Sequence, residues 1–162
     1  MRSDGRDAFV ELCRDEYAAV VRSAYLITGS REDALDLAQE TFARAYEQWR
    51  TVSQMDRPAA WLQRVVANLA ISSHRRRRLA ARKLAMVPRE SPVRLDDSSS
   101  FTGLDALTPA QRAVIVLRYY ADLSVDQTAS ALGKRPGTVR ALSSQALGRL
   151  RDGLHQEVRG EP

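Results

Sequence analysis

The 162-residue sequence is poor in the residues that build disulfides and metal centres. It has one cysteine, Cys13, and two histidines, His74 and His155, which lie far apart in the chain. One cysteine cannot form an internal disulfide or a cysteine-rich metal site, so the sequence fits a reducing compartment and predicts no metal or other cofactor. Aromatic residues make up only 6% of the chain, which predicts a mainly aliphatic core.

Long hydrophobic runs are also missing. No apolar run approaches the roughly 20 residues that a membrane-spanning helix needs, and the polar first residues lack the apolar segment of a signal peptide. We therefore expect the protein to stay in the cytoplasm. The 44% of hydrophobic residues is enough for a core, and the length fits one ordinary domain or two small ones.

Charge is distributed unevenly along the chain. Residues 1–56 carry a net charge of −4 and residues 90–133 carry −3, whereas residues 57–89 carry +9 and residues 134–151 carry +5. Neither basic block contains a single acidic residue. Such a block is either a solvated helix face or a contact with a polyanion, and two of them favour nucleic acid, whose phosphates are neutralised by Arg and Lys. The acidic blocks would repel nucleic acid and should face another partner.

Apolar residues recur at helical spacing in the first half of the chain. One helix is predicted over residues 7–27 and ends at Gly29. Ser30 and Asp33 form a variant of the capping box, which predicts the start of a second helix. Pro58 suits the first turn of a third helix that runs into the arginine run 75–78. The predicted inward residues of the second helix are Ala34, Leu37, Ala38, Thr41, Phe42, Ala45 and Trp49.

The helical periodicity stops between Met86 and Leu104, and Pro88, Pro92 and the polar tract 96–100 predict a flexible linker. Order returns with two capping boxes, at Thr108 and at Ser124, each followed three residues later by Gln. The helix after Thr108 is expected to bury Val114, Leu117 and Tyr120. The predicted fold is all-α: two small helical domains, over residues 5–84 and 105–155, joined by a linker over residues 85–104.

The second domain has the pattern of a helix-turn-helix. A short helix ends at Gly133, which supplies a left-handed stop, and a longer helix without acidic residues begins at Thr138. The inward residues of this last helix are predicted to be Val139, Leu142, Ala146, Leu147 and Leu150. Its outward stripe contains Thr138, Arg140, Ala141, Ser144 and Gln145, side chains that can reach base edges or phosphates in the major groove.

A family resemblance is carried by five segments, residues 36–46, 57–68, 107–120, 123–133 and 137–140. Together they resemble the extracytoplasmic-function (ECF) group of bacterial RNA polymerase sigma factors. Two of them, residues 36–46 (DLAQETFARAY) and 57–68 (RPAAWLQRVVAN), resemble regions 2.2 to 2.4 of that group. The other three, residues 107–120, 123–133 and 137–140, resemble region 4. The resemblance covers nearly all of the chain outside the linker, in the order that the family has.

The resemblance implies a promoter-specificity subunit that performs no covalent chemistry itself. Its partners would be core RNA polymerase, through the clamp helices of the largest subunit and the flap, promoter DNA, and an anti-sigma factor. When bound to polymerase it would associate with the nucleoid. The acidic stripe of the second helix would dock on the polymerase, and the residues implied are Asp36, Gln39, Glu40 and Glu47.

Two sets of residues would contact DNA. The first domain would melt the downstream promoter element and capture an unpaired base with Asn68; the implied residues are Trp61, Arg64, Asn68, Arg75, Arg76, Arg77 and Arg78. Trp61 has an alternative interpretation as a core residue. The helix-turn-helix would read the upstream element with Lys134, Arg135, Thr138, Arg140, Ser144 and Gln145. The run from Arg140 to Gln145 has fewer cations than the usual family pattern, so the upstream sequence is not specified.

Three other functions are weighed against this one. A stand-alone helix-turn-helix regulator would bind its operator tightly without polymerase. A small nuclease would need carboxylates or histidines beside the basic face, but residues 57–89 contain no acid. An RNA-binding protein would leave the resemblance to region 2.2 unexplained.

Overall fold

The computed structural model describes residues 3–83 and 103–158; for residues 3, 4, 78, 81–83 and 156–158 it describes the backbone alone. Every regular element in these ranges is helical, which confirms the all-α prediction. Most of the predicted linker, residues 85–102, lies outside them. The elements are α1 (Ser3–Thr28), α2 (Arg31–Glu47), α3 (Trp49–Val52), α4 (Pro58–Lys83), a 3-10 turn (Leu104–Ala106), α5 (Pro109–Ile115), a π-helical turn (Val116–Tyr120), α6 (Val125–Leu132) and α7 (Pro136–Val158).

The first half of the chain is a bundle in which α1, α2 and α4 pack on one another. α2 buries the predicted residues from Ala34 to Ala45, and α4 contributes Leu62 and Val66, both fully buried. A polar contact crosses this core, because the Ser23 hydroxyl donates to the side-chain amide oxygen Oε1 of Gln63 at 2.5 Å. Both side chains are buried, so this hydrogen bond fixes how α4 sits on α1.

The prediction for Trp49 is wrong. Sequence spacing puts Trp49 on the buried stripe of α2, but that helix ends at Glu47 and Trp49 begins the short helix α3. Its indole is half-buried and meets the Phe9 ring edge-on, with centroids 5.3 Å apart. The buried residue of α3 is Val52. The break at Gln48 carries the chain off the 3.6-residue stripe of α2, so its periodicity no longer applies.

Both predicted capping boxes of the second half are confirmed. Thr108 and Ser124 each accept a hydrogen bond from the backbone N–H of the Gln three residues later, and that Gln side chain accepts from the backbone N–H of the cap. Each box satisfies two N–H groups that a helix start otherwise leaves unpaired. The starts of α5 and α6 are therefore fixed by local sequence.

The end of α5 departs from the α-helical register. Val116–Tyr120 forms a π-helical turn, in which the Ala121 N–H donates to the Val116 carbonyl at 2.9 Å. The wider turn buries Val116 beside Leu117 and leaves Tyr120 39% exposed, so the prediction of a buried Tyr120 is wrong. Asp122 then adopts a positive φ of 54°, a conformation that Asp tolerates better than most residues, and Leu123 returns to the core.

α6, Gly133 and α7 form the predicted helix-turn-helix. Gly133 has φ 60° and ψ 35°, and the Lys134 N–H closes the end of α6 on the Ala129 carbonyl at 2.9 Å. α7 begins at Pro136, two residues before the predicted Thr138. Val139 and Ala146 are fully buried, but Leu147 is 41% exposed, contrary to the prediction. Leu147 is one residue past Ala146 and points about 100° away from the buried line of α7.

Replacing Gly133 by Ala should lower the free energy of unfolding by roughly 1–2 kcal/mol, the cost of a left-handed conformation for an L-residue. An added Cβ meets nothing within 4 Å, so backbone strain is the only cost expected. Urea unfolding measures it. Gly137→Ala is the matched control: its Cβ also meets nothing within 4 Å and its φ is not positive. That variant should gain roughly 0.4–1 kcal/mol. Equal losses in the two would show that the conformation of Gly133 does not carry the effect.

The two halves share one hydrophobic core. Ala113, Val116, Leu117, Leu123 and Ala131 of the second half belong to the same buried cluster as α1, α2 and α4. The Arg112 guanidinium also donates to the Ile27 carbonyl at the end of α1, at 3.4 Å. A separate small cluster of Val114, Ala129 and Val139 holds the helix-turn-helix together. The described structure is therefore a closed arrangement, with α6 lying on α4.

Candidate polymerase-docking and nucleic-acid interfaces

The acidic stripe of α2 lies opposite its buried stripe. Asp36, Gln39, Glu40 and Glu47 are all exposed, as a 3.6-residue period requires once the other side of the helix is in the core. Glu40 accepts a hydrogen bond from Arg44 at 2.9 Å, an exposed i,i+4 pair of the kind that contributes little to stability. The structure thus keeps three carboxylates on one solvent-facing surface.

Aromatic side chains border this acidic stripe. Tyr46 is 54% exposed and meets Phe9 edge-on at 5.2 Å, and Phe9 in turn meets Trp49. Exposed Tyr next to a charged rim is a frequent composition of protein interfaces. The sequence analysis missed Tyr46, although its position seven residues after Gln39 places it on the same side of α2.

The basic residues of α4 occupy exposed positions. Arg64, Arg75, Arg76 and Arg77 are exposed, and the side chain of Arg78 lies outside the described part of the chain. Trp61 is half-buried and packs against the hydrophobic core that the two halves share. That placement supports the core interpretation of Trp61 over a role as a wall for an unpaired base.

Arg77 is paired with an acid from another helix. Its Nη2 donates to the Asp33 carboxylate at the start of α2, 44 residues away in sequence. The Ser30 hydroxyl accepts from the Asp33 N–H at 3.3 Å, as predicted, but the Ser30 N–H is bonded to the Thr28 hydroxyl. Asp33 therefore does not complete the predicted capping box. No spacing in the sequence signals the ion pair.

Asn68 is covered by the second half of the chain. Its Nδ2 donates to the Ala131 carbonyl of α6 at 2.7 Å, across 63 residues of sequence, and the side chain is half-buried. This bond uses one N–H of the amide, which has a second N–H and the Oδ1 acceptor besides. In the closed arrangement the predicted base-capture group is therefore partly engaged and lies against α6.

The outward side of α7 remains open. Arg135, Thr138, Arg140, Ser144 and Gln145 are exposed, and Lys134 is partly exposed. Gln145 lies near Gln111, whose amide donates to it at 3.4 Å. The closed arrangement thus covers Asn68 but leaves the reading surface of the helix-turn-helix accessible.

The remaining candidate features carry no site. Cys13 is half-buried, and burial raises the pKa of its thiol, which reduces the reactive thiolate at neutral pH. Among the described residues, no three His, Cys, Asp or Glu side chains come together to hold a metal ion. None of the helices described here is long and apolar enough to cross a membrane.

Comparison with protein families and curated sequences gives a consistent result. The family Sigma-70 region 2 matches residues 12–80, and the family Sigma-70, region 4 matches residues 103–152. The RNA polymerase sigma-E factor of Streptomyces coelicolor is 36% identical over 154 residues, which cover 90% of this chain and 85% of that protein. The ECF RNA polymerase sigma factor SigL of Mycobacterium tuberculosis is 33% identical, covering 89% and 88%.

A solved structure shares the fold. It is the sigma factor RpoE from Bartonella quintana, crystallised in complex with the anti-sigma factor NepR. The likeness has a TM-score of 0.75 and covers 91% of this chain and 97% of that one, at 22% sequence identity. At this identity the likeness shows the fold.

Proposed function

The chain belongs to the ECF group of the sigma-70 family, and from that membership we propose that it binds core RNA polymerase with its first half and selects promoters with both halves. The observation that carries the proposal is the separation of charge on the described surface. The exposed carboxylates on α2 suit a contact with a basic protein surface. The two exposed cationic surfaces, on α4 and α7, suit contacts with DNA.

The docking face consists of Asp36, Gln39, Glu40 and Glu47. Its three carboxylates are exposed and suit a basic surface, the clamp helices of the largest polymerase subunit, with a second contact between the other half and the flap. Charge complementarity of this kind accelerates encounter and fixes orientation. The face belongs to a helix whose other side is locked in the core, so the acids are preorganised.

Strand opening is assigned to α4. Arg64, Arg75 and Arg76 neutralise phosphates of the opened strand, and the Asn68 amide bonds to an unpaired base. Melting costs about 1.4 kcal/mol per base-pair step, which these contacts must offset. Because α6 lies against the Asn68 side chain in the closed arrangement, α6 must move off α4 to expose that side chain fully to an unpaired base.

Recognition of the upstream element is assigned to α7. Arg140 reaches a base edge or phosphate, Ser144 and Gln145 reach neighbouring edges, and Thr138 in the first turn of the helix suits a phosphate. Lys134 and Arg135 add contacts with the phosphate backbone of the DNA. The residues between 85 and 104 join the two DNA-binding halves, so binding by one raises the effective concentration of the other.

The remaining partners follow from family membership. We expect an anti-sigma protein to hold the chain inactive, a location in the cytoplasm, and association with the nucleoid when the chain is bound to polymerase. The chain contributes binding rather than covalent chemistry, which the polymerase supplies.

In-vitro transcription with purified core enzyme and a genomic fragment library tests the proposal. Addition of the chain should produce discrete new transcripts whose start sites share an upstream and a downstream element. A stand-alone regulator would instead bind its operator tightly with no core enzyme present. Absence of co-elution with core polymerase together with tight autonomous DNA binding would replace the proposed function by that alternative.

Replacing Arg140 by Ala should weaken binding of the polymerase complex to its upstream element by about 1–3 kcal/mol if the guanidinium bonds to a base. The measurement compares the cognate element with single-base variants. Arg151→Ala is the control, since Arg151 is exposed on the same side of α7 but three turns further on. An equal loss on every variant sequence would reassign Arg140 to the DNA backbone.

A further inference from the structure

The basic block of residues 57–89 contains no acidic residue, but in the folded chain an acid from another segment pairs with one of its arginines. Asp33, from the acidic first block, bonds to Arg77 in the middle of the arginine run. Among the described residues, this is the only ion pair between the first acidic block and the basic block. The local charge along α4 is therefore lower at Arg77 than the sequence indicates.

The burial of the two partners differs. The Asp33 side chain is 14% exposed, whereas the Arg77 side chain is 57% exposed. The second carboxylate oxygen of Asp33 is buried and has no hydrogen-bond partner within the described part of the chain. A carboxylate so placed is costly to leave without its cation. Arg77 is consequently held by the Asp33 carboxylate, whose burial is stabilised by this ion pair.

The Asp33 carboxylate is not needed for the capping box that the sequence predicts at Ser30. The Ser30 N–H, which a capping-box carboxylate would satisfy, is bonded to the Thr28 hydroxyl at 3.3 Å. The Ser30 hydroxyl bonds only to the backbone N–H of Asp33, a contact that any residue at that position can make. The carboxylate itself serves Arg77 alone.

We propose that Asp33 withholds Arg77 from nucleic-acid phosphates, so that the arginine run of α4 grips the DNA backbone with one cation fewer than its sequence offers. Arg75 and Arg76 are exposed and form no ion pair in the described residues, so they remain available. The effect limits sequence-independent attraction to DNA. The inference rests on the proposed contact between α4 and DNA.

The test is the salt dependence of binding by the full chain to a fluorescent, non-specific single-stranded oligonucleotide. Each phosphate neutralised adds about 0.7 to the slope of log K against log salt for single strands. Asp33→Asn, which keeps the size of the side chain, should steepen the slope by about 0.7 and tighten binding at low salt. Circular dichroism serves to check that the variant folds.

Glu32→Gln is the matched control. Glu32 is the neighbouring residue, is exposed and forms no ion pair in the described residues, and its replacement changes the net charge equally. It should leave the slope unchanged. The double variant Asp33→Asn/Arg77→Gln removes both partners and should return the slope to that of the parent chain, which attributes the gain to Arg77.

Arg76→Gln separates the inference from the proposed function. A shallower slope in this variant supports contact between α4 and DNA; no change overturns that contact. If Arg76→Gln lowers the slope but Asp33→Asn leaves it unchanged, the withholding role of Asp33 is wrong while the DNA contact stands. Weaker binding by Asp33→Asn also overturns the inference, because Asp33 would then be aiming Arg77 at phosphate.

Discussion

A chain carrying both Asp36→Ala and Glu40→Ala is expected to bind core RNA polymerase at least about 30-fold more weakly, a loss of about 2 kcal/mol or more that is typical of central interface residues. The two carboxylates lie one turn apart on the exposed side of α2, opposite a stripe that is locked in the core. Glu40 gives up its hydrogen bond to Arg44 on docking, but an exposed pair of this type contributes only about 0.3–0.5 kcal/mol. Fluorescence anisotropy with labelled protein and purified core enzyme measures the affinity.

A second pair of acids provides the control for charge. Glu11 and Asp15 are exposed on α1 with the same four-residue spacing, so Glu11→Ala/Asp15→Ala removes the same charge elsewhere. This control should bind core enzyme almost as well as the parent chain. If the two double variants lose equal affinity, general electrostatic attraction explains the result and α2 is not the docking face. Thermal unfolding of both variants checks that neither has lost its fold.

The helix starts were predictable from sequence because their causes are local. Thr108 and Ser124 each lie three residues before the Gln that completes the capping box, and Gly133 is the residue that adopts a positive φ at little cost. No distant contact is needed to form these features. The exposure of the acidic stripe on α2 was predictable for the same reason, since it follows from helical period once one side is apolar.

The errors arise where the regular period breaks. Tyr120 is the last residue of a π-helical turn and Trp49 follows the end of α2, so the 3.6-residue count made across these points assigns the wrong side of the helix. Both breaks serve tertiary packing, because they bring Leu123 and Val52 into buried positions. Nothing in the residues themselves distinguishes such a break from a continuing helix.

The state of the predicted site residues depends on distant contacts. Asn68 and Ala131 are 63 residues apart, and Arg77 and Asp33 are 44 apart. The family resemblance implied Asn68 and Arg77 as DNA contacts. Spacing arguments reach about two helical turns, so they could not indicate that other groups of the chain hold these side chains. Sequence therefore identified candidate residues, and the packing of α6 and α2 on α4 determined their availability.

Tethering α6 to α4 should abolish promoter opening, because the tether keeps α6 against the Asn68 side chain. Two exposed residues suit the tether: Ser72, one turn after Asn68, and Ser130, next to Ala131. The variant Ser72→Cys/Ser130→Cys, made in a Cys13→Ser background, can be joined by a reducible, bifunctional thiol-reactive cross-linker. Permanganate reactivity of unpaired thymines measures opening after core enzyme is added. The cross-linked chain should give only background permanganate reactivity. Reduction of the cross-linker should restore promoter opening, since cleavage lets α6 leave α4.

Each single-cysteine variant, treated with the same reagent, should open the promoter normally. Full opening by the cross-linked chain would mean that the contact between Asn68 and Ala131 need not break, and base capture would then have to be assigned to a different side chain of α4.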